Sequence, residues 1–183
     1  MGARRTHAIT ASLLLRRMRR DSRKGSAAIE FAMIAPVFFL LIFAIIETGV
    51  LFLAGNVLQF AADDAARLVR TGQAQTEHLT ATQFRNKICA DIAPVMQCGS
   101  DLQVDVRSFS DFAAANFPAP LNKNGELDPN LNKFEPGSAG DVVLLRTFYT
   151  WDVMTPLLAP FLTNMSGDKR LLSATAAFRN EPF

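Results

Sequence analysis

The feature that most constrains this chain is a long apolar run near its N-terminus. The run extends from about Ala27 to Ala54, and no polar side chain interrupts it between Phe31 and Ile46. A helix needs about 20 apolar residues to cross the hydrocarbon core of a bilayer. A cleaved secretory signal has a shorter core of roughly 7–15 residues. We therefore expect a single membrane-spanning helix.

The residues before this run are strongly basic. Residues 1–24 contain eight arginines and lysines against one acid, a net charge of +7, whereas the whole chain carries +2. A basic arm is also typical of nucleic-acid binding, but Lys and Arg beside a membrane helix stay on the cytoplasmic side. The pattern predicts a cytoplasmic N-terminus, a C-terminal domain on the opposite, exported side and no nucleic-acid partner.

The membrane helix is expected to continue into a long second half. Over residues 26–72 the one strong helix breaker is Pro36, and Thr71-Gly72 ends the pattern with glycine in the left-handed cap position. At about 1.5 Å per residue, this length is more than twice the thickness of a bilayer core. The second half therefore stands clear of lipid.

This second half is amphipathic. Asp63 and Arg67 lie four residues apart, as in a surface ion pair. The apolar positions fall on one face at steps of three and four: Val57, Ala61, Ala65 and Leu68.

The remaining residues, 73–183, predict a small α+β domain with a mainly antiparallel sheet. Thr80 and Gln83 fit the capping box of a short helix over 80–92. Strand patterns occur at 101–109, 141–153 and 169–178, a loop rich in Pro and Asn occupies 110–140, and a short helix or turn is expected over 155–162.

Two of these strands have informative patterns. In the first, Leu102, Val104 and Val106 alternate with Gln103, Asp105 and Arg107, which predicts a half-buried strand with its polar residues outward. The segment 141–153 is apolar on both faces, as in a central strand of a sheet.

The chain contains two cysteines, Cys89 and Cys98, both on the predicted exported side. An even number in an oxidising compartment indicates a disulfide, and two free thiols are the alternative. Zinc is not expected, because the only histidines, His7 and His78, are too few and too far apart for the usual ligand set.

No catalytic residue or cofactor site can be assigned, so we expect no enzyme. The predicted domain has no serine–histidine or cysteine–histidine motif and no glycine-rich phosphate loop. Oxygen-bearing side chains are frequent in 122–130, but their spacing does not match a calcium loop, and Asn and Asp are ordinary turn formers. We expect Tyr149 and Trp151 to pack on the sheet.

One acid, Glu30, lies at the beginning of the apolar run. A carboxylate within a membrane segment is costly unless it is paired. Cleavage after Gly25 would give Ser26 a new α-amino group, which could offset the Glu30 carboxylate of a neighbouring copy or another subunit. Alternatively, Glu30 lies in the hydrated headgroup region. The residues alone leave both interpretations open.

Together these features resemble a type IV prepilin leader, in which a basic segment ends in glycine, small residues follow, and a glutamate at position five precedes a long apolar helix. In "RKGSAAIEFAMIAP" the matching positions are Gly25, Ser26, Glu30 and Phe31. The chain more narrowly resembles the TadE-like pseudopilins of the Flp, or tight-adherence, pilus systems. This resemblance also uses "FAADDAARLVRTG", the cysteine pair before "DLQVDVRSF" and the terminal "FRNEPF".

The resemblance implies a minor pilin or pseudopilin in the assembly of a type IVb Flp pilus used for adhesion. Major Flp pilins tend to carry Tyr after the glutamate and are far shorter, so Phe31 and the added domain favour the minor class. A prepilin peptidase would remove the 1–25 leader. The mature protein would stay in the inner membrane until assembly, with its C-terminal domain in the periplasm. The other implied partners are pilin and minor pilin subunits and the inner-membrane assembly platform.

Small residues in the second half of the helix would allow another helix to approach closely: Ala54, Ala61, Ala62, Ala65 and Ala66. Two other functions stay possible on the sequence. One is an uncleaved, single-pass anchored periplasmic ligand-binding module that uses 116–140 as its recognition surface. The other, least favoured, is a membrane-tethered hydrolase.

Overall fold

A computed structural model describes the backbone of residues 5–183 and the side chains of residues 25–183. The chain divides into two compact units, Met1–Ile45 and Ile46–Phe183. One continuous helix, α1 (Arg5–Arg70), passes through both. Gly72, just beyond its end, has a φ of 78°, which is the left-handed conformation predicted for the cap.

The helix α1 begins at Arg5, well before the predicted start at Ser26. The residues from Arg5 onward are rich in Ala, Leu, Arg and Met, the residue types with the highest helix propensity. Gly25 costs only about 1 kcal/mol relative to Ala in a helix interior. The change in composition at Gly25 is therefore no helix boundary, and the helix also continues through Pro36.

The second unit adds a three-stranded antiparallel sheet and short helices, so the fold class is α+β as predicted. After α1 come α2 (Gln73–Thr76), α3 (Ala81–Ile92), β1 (Leu102–Phe109), β2 (Val142–Asp152), α4 (Ala159–Leu162) and β3 (Lys169–Arg179). The strand order is β1-β2-β3. The central strand β2 is buried over most of its length, which confirms the interpretation of its two apolar faces.

The capping box at the start of α3 is confirmed. The Thr80 side chain accepts a hydrogen bond from the backbone N–H of Gln83 at 3.3 Å. The Gln83 side-chain oxygen accepts in return from the Thr80 backbone N–H at 2.9 Å. These reciprocal bonds satisfy donors that the first turn of a helix cannot pair internally.

The main core lies between one face of the sheet and the helices α1 and α3. The sheet contributes Leu102, Val106, Val143, Leu145, Tyr149, Leu172 and Ala174, and α3 contributes Phe84, Ile88 and Ile92. From α1 come Leu51, Ala54, Leu58, Ala61, Ala62, Ala65, Ala66 and Val69. The small alanine side chains let the helix backbone approach the sheet closely.

The apolar face predicted for the second half of α1 is confirmed in part. Ala61 and Ala65 are buried, and Val57 packs against the core. Leu58 and Val69 are fully buried as well, whereas Leu68 is half-exposed. The alanine face, predicted to be available to another helix, is occupied by the chain's own sheet. The sequence shows that such a face packs closely but not which partner it meets.

The predicted ion pair between Asp63 and Arg67 is not formed, because Arg67 pairs with Asp64 instead. Arg67 Nη2 lies 3.4 Å from Asp64 Oδ1, one position closer in sequence. Asp63 instead accepts a hydrogen bond from the Gln59 side-chain amide at 3.0 Å. Positions three and four residues apart are equally accessible on a helix surface, so spacing alone cannot choose between them.

Asp105 lies on the predicted face of β1, but its side chain is buried rather than exposed. The alternation holds, since Asp105 lies on the sheet face opposite Leu102 and Val106, but its exposure is 0%. Arg146 Nη2 donates to Asp105 Oδ2 at 2.7 Å, and Arg107 Nε donates to the same oxygen at 2.9 Å. The sheet is therefore covered on both faces.

The segment between β1 and β2 supplies the second cover. Arg146 Nη1 donates to the carbonyl of Pro118 at 2.9 Å, and the Lys133 N–H donates to Asp105 Oδ1 at 3.3 Å. Backbone bonds of 2.8 and 2.9 Å join Val106 to Lys133 and Glu135 along the edge of β1. The segment is a loop, as predicted, and most of it is exposed, but backbone groups of Pro118 and Lys133 cover the buried ion pair.

The cysteines are bonded to each other. Cys89 on α3 and Cys98 in the following loop form a disulfide with a Cα–Cα distance of 5.6 Å. The Tyr149 hydroxyl donates to the carbonyl of Gln97 at 3.1 Å, which fixes the loop to β2. The Arg85 guanidinium also donates to the carbonyl of Gly99, so the loop is held by the disulfide and by polar contacts.

We predict that Asp105→Ala lowers the free energy of unfolding of the second unit by about 3–5 kcal/mol, because it leaves the buried Arg146 guanidinium without its carboxylate. The exposed Asp64→Ala is the control and should cost no more than about 1 kcal/mol. Urea unfolding in detergent, followed by the fluorescence of Trp151, measures both. Equal losses in the two variants would contradict a structural role for the buried pair.

We predict that the double variant Cys89→Ser, Cys98→Ser lowers the free energy of unfolding by about 2–3 kcal/mol, since the unfolded chain regains the entropy of a short closed loop. The same urea experiment measures the loss. The wild-type protein should also change its mobility on a gel when reductant is added. Identical mobility would argue against the disulfide.

Candidate membrane-anchoring and assembly site

The four residues of the predicted processing motif lie on α1 and are exposed. Gly25, Ser26, Glu30 and Phe31 occupy two successive turns. The Ser26 hydroxyl donates to Glu30 Oε1 at 3.1 Å, a contact that the sequence reasoning missed although the spacing of four residues allows it. This donor is neutral, so the Glu30 charge itself has no cationic partner within the described residues.

The first unit exposes a surface of large apolar side chains from Ile29 to Ile45. Its members include Phe31, Met33, Ile34, Val37, Phe38, Leu41 and Phe43, which are all more than half exposed. A helix that is apolar on all sides is typical of a membrane span. The part of α1 from Gly25 to Arg70 is long and apolar enough to cross a membrane. These properties indicate a single-pass membrane anchor.

The acid that ends the unbroken apolar run, Glu47, is buried in the second unit. Its exposure is 2%. One carboxylate oxygen accepts from the backbone N–H of Met154 at 2.5 Å, and the other accepts from the N–H of Thr155 at 3.0 Å. Hydrogen bonds from backbone amides to a carboxylate are stronger than bonds between neutral groups. Glu47 therefore fastens α1 to the segment that follows β2.

The sequence reasoning assigned no role to Glu47. A signal was available, because an acid that closes an apolar run and has no basic residue one helical turn away needs another partner. The partner is more than 100 positions distant in the sequence and consists of backbone amides. Nearly every residue has a backbone amide, so the sequence could not predict which amides bind Glu47.

Two ionisable side chains of the second unit have raised pKa values, and neither forms a catalytic arrangement. Burial, assisted by the charges of Asp101 and Asp152, raises the pKa of the Tyr149 phenol. Burial and the charge of Asp64 raise the pKa of the Asp91 carboxyl. Within residues 25–183, no group of three or more His, Cys, Asp or Glu side chains is placed to hold a metal ion.

The oxygen-rich segment 122–130 uses its side chains to form turns. Asn122 Oδ1 accepts from the N–H groups of Asn124 and Glu126 at 2.8 and 3.0 Å. Asp128 Oδ1 accepts from the N–H of Asn130 at 2.9 Å. Such bonds are typical of Asx turns, which agrees with the turn-forming interpretation of this segment.

The geometry defines a class of protein, namely one with a single-pass apolar anchor helix that continues into the core of a small α+β domain. The family model described as TadE-like protein matches residues 25–67, which confirms the resemblance inferred from the motifs. The match begins at Gly25 and covers less than half of the chain, all of it on α1. TadE-like proteins are structural pilus components, so the match indicates a protein associated with a Tad pilus. No curated protein and no solved structure matches this chain.

We predict that Glu47→Ala exposes the amides of Met154 and Thr155 to solvent exchange, with a loss of local protection of about 1.5–3 kcal/mol for each amide. Glu47→Gln should have a smaller effect because it retains an acceptor oxygen. Hydrogen exchange of the detergent-solubilised protein measures both variants.

The exposed Asp63→Ala, on the same helix, is the matched control for this experiment and should leave the two amides protected. Unchanged protection in Glu47→Ala would show that the carboxylate does not hold this segment.

Proposed function

We propose that this protein is a minor pilin or pseudopilin that takes part in the assembly of a type IVb Flp pilus used for adhesion. The observation that carries the proposal is the motif from Gly25 to Phe31, which stands at the beginning of both the apolar surface and the family match. The same motif joins a strongly basic segment to a membrane-spanning length of helix.

The position of Gly25 suits a processing site. Among the side chains of residues 25–183, none lies within 4 Å of the place where a Cβ on Gly25 would be. A membrane prepilin peptidase at the cytoplasmic face cleaves between Gly25 and Ser26 and removes the basic leader. A peptidase needs extended backbone, and glycine is the residue that leaves a helix at the lowest cost.

The basic leader also sets the orientation of the anchor. Arg and Lys beside a membrane helix are retained in the cytoplasm, so the N-terminus is cytoplasmic and the second unit is periplasmic. An oxidising periplasm is consistent with the disulfide between Cys89 and Cys98. The protein is therefore held in the inner membrane until assembly.

After cleavage, Ser26 carries a cationic α-amino group and Glu30 still carries its carboxylate. Within its own chain Glu30 has only the neutral Ser26 hydroxyl as partner among the described residues. The amine of a neighbouring subunit then offsets the Glu30 charge when the helices assemble. This pairing fixes the relative height of two adjacent anchor helices.

The exposed apolar surface between Ile29 and Ile45 allows the anchor to exchange lipid for protein. Lipid tails are about as apolar as leucine, so packing against other helices loses little hydrophobic stabilisation. The partners are pilin and minor pilin subunits, and the inner-membrane platform carries out the transfer. A ligand-binding role for residues 116–140 receives less support, because Pro118, Leu131 and Phe134 of this segment are used for internal contacts.

We predict that the membrane-bound protein begins with Ser26 and that Gly25→Leu retains the leader. Mass spectrometry of the purified N-terminus measures both. The control is Gly49→Ala, since Gly49 lies on the same helix, has open space around it, and should not affect cleavage. A mature protein that begins at Met1 or Met18 would contradict processing.

We predict that Glu30→Ala leaves cleavage and insertion intact but reduces pilus-dependent attachment to background. Ser26→Ala is the matched variant, because it removes the hydroxyl partner of Glu30 and keeps the α-amino group. It should retain attachment. Full attachment with Glu30→Ala would exclude the carboxylate from assembly, and loss of attachment with Ser26→Ala would assign the effect to the hydroxyl.

A further inference from the structure

The segment from Val153 to Met165, which we call the apolar turn, contains no charged residue. Three of its large side chains are strongly exposed, namely Met154 at 63%, Leu157 at 72% and Phe161 at 83%. Single exposed apolar side chains are normal on a protein surface, but a cluster marks a contact with a membrane or another protein. The proposed function does not use this cluster.

The apolar turn begins where the anchor helix ends its unbroken apolar run. Its first residues, Met154 and Thr155, donate their backbone N–H groups to Glu47, which directly follows Ile46. About 20 residues are needed to cross the hydrocarbon core, and residues 27–46 supply that length. The turn is therefore held at the level at which α1 leaves the hydrocarbon core.

The exposed apolar surface of α1 continues past this level. Phe52 is 74% exposed and Leu53 is 51% exposed. At a rise of 1.5 Å per residue they lie within about 10 Å of Ile46 along the helix. An open cavity lined in part by Phe52, Leu162 and Arg170 joins this stretch of helix to the end of the apolar turn.

Most backbone N–H groups of the apolar turn are paired, and among the described residues the N–H of Leu157 is the exception. The N–H groups of Leu158, Ala159, Phe161, Leu162 and Thr163 all donate to carbonyls within the turn, and those of Asn164 and Met165 donate to Lys169. The two prolines, Pro156 and Pro160, have no N–H to satisfy. Glu47 pairs the amides of Met154 and Thr155. An unpaired backbone donor would be costly at a membrane, so this pairing distinguishes the turn from an ordinary hydrated loop.

We propose that the apolar turn is a second membrane contact, in which Leu157 and Phe161 enter the outer leaflet of the bilayer beside the anchor helix. The inference rests on the orientation given under the proposed function. Lipid is the favoured occupant because the turn is continuous with the membrane-spanning run and has no charged residue to recognise a protein. With Glu47 as the link, the two contacts fix the height of the second unit above the bilayer.

The test uses the single native tryptophan. In a Trp151→Phe background, Phe161→Trp places one indole in the apolar turn of the full chain. The protein is reconstituted into phosphatidylcholine–phosphatidylglycerol vesicles whose acyl chains carry bromine, which quenches tryptophan emission at short range. Phe39→Trp in the anchor is the positive control, and Phe112→Trp, an exposed aromatic position between β1 and β2, is the matched negative control.

We expect Phe161→Trp to lose most of its emission in brominated vesicles and Phe112→Trp to lose none. An unquenched Phe161→Trp beside a quenched Phe39→Trp would overturn the proposal. A blue-shifted Phe161→Trp emission without quenching would also overturn it, because another protein surface would then cover the turn. Native disulfide mobility on a gel shows that each variant is folded.

The outcome is separable from the pilus proposal. A mature protein that begins at Ser26 with an unquenched Phe161→Trp would contradict only the second membrane contact. An uncleaved leader with a quenched Phe161→Trp would contradict only the processing step.

Discussion

One uninterrupted helix has to satisfy two different surroundings, and the rest of the structure depends on this constraint. Between Ile29 and Ile45 large apolar side chains are exposed on all sides of α1, which is stable only in lipid or against other helices. From Leu51 onward one stripe of the same helix is buried against α3 and the sheet. The helix is therefore the anchor of one unit and the central core element of the other. A change in its length or phase affects both.

Buried acids organise the second unit at two places, and each is satisfied in its own way. Glu47 has no cationic partner in the part of the chain that the structure describes, and it is held by the amides of Met154 and Thr155. Asp105 is held between Arg146 and Arg107 under the segment that joins β1 to β2. The first acid fixes the apolar turn to the helix, and the second fixes the cover to the sheet. A buried charge without such partners would be strongly destabilising, so both contacts are specific features of this fold.

Functional assignment depends on one short motif and one long surface. The motif at Gly25, Ser26 and Glu30 is exposed and lies inside a helix, so under the proposed function a peptidase and neighbouring subunits would act on it. The surface from Phe31 to Ile45 contains no charged side chain, so it contacts lipid or other helices through apolar packing. The family match over residues 25–67 also lies within α1.

The sequence by itself determined the elements that depend on local patterns: the apolar span, the capping box at Thr80, the glycine cap at Gly72 and the central position of β2. Composition, spacing and turn chemistry act over a few residues, and they can be read directly. Only the tertiary structure decided which surfaces meet. It assigned the alanine face of α1 to the chain's own sheet, buried Asp105 under a segment that reads as a loop, and joined Glu47 to amides more than 100 residues away. These contacts join residues that are far apart in the sequence. Glu47, moreover, binds backbone amides, which nearly all residues have. Residue identity therefore does not predict which groups meet.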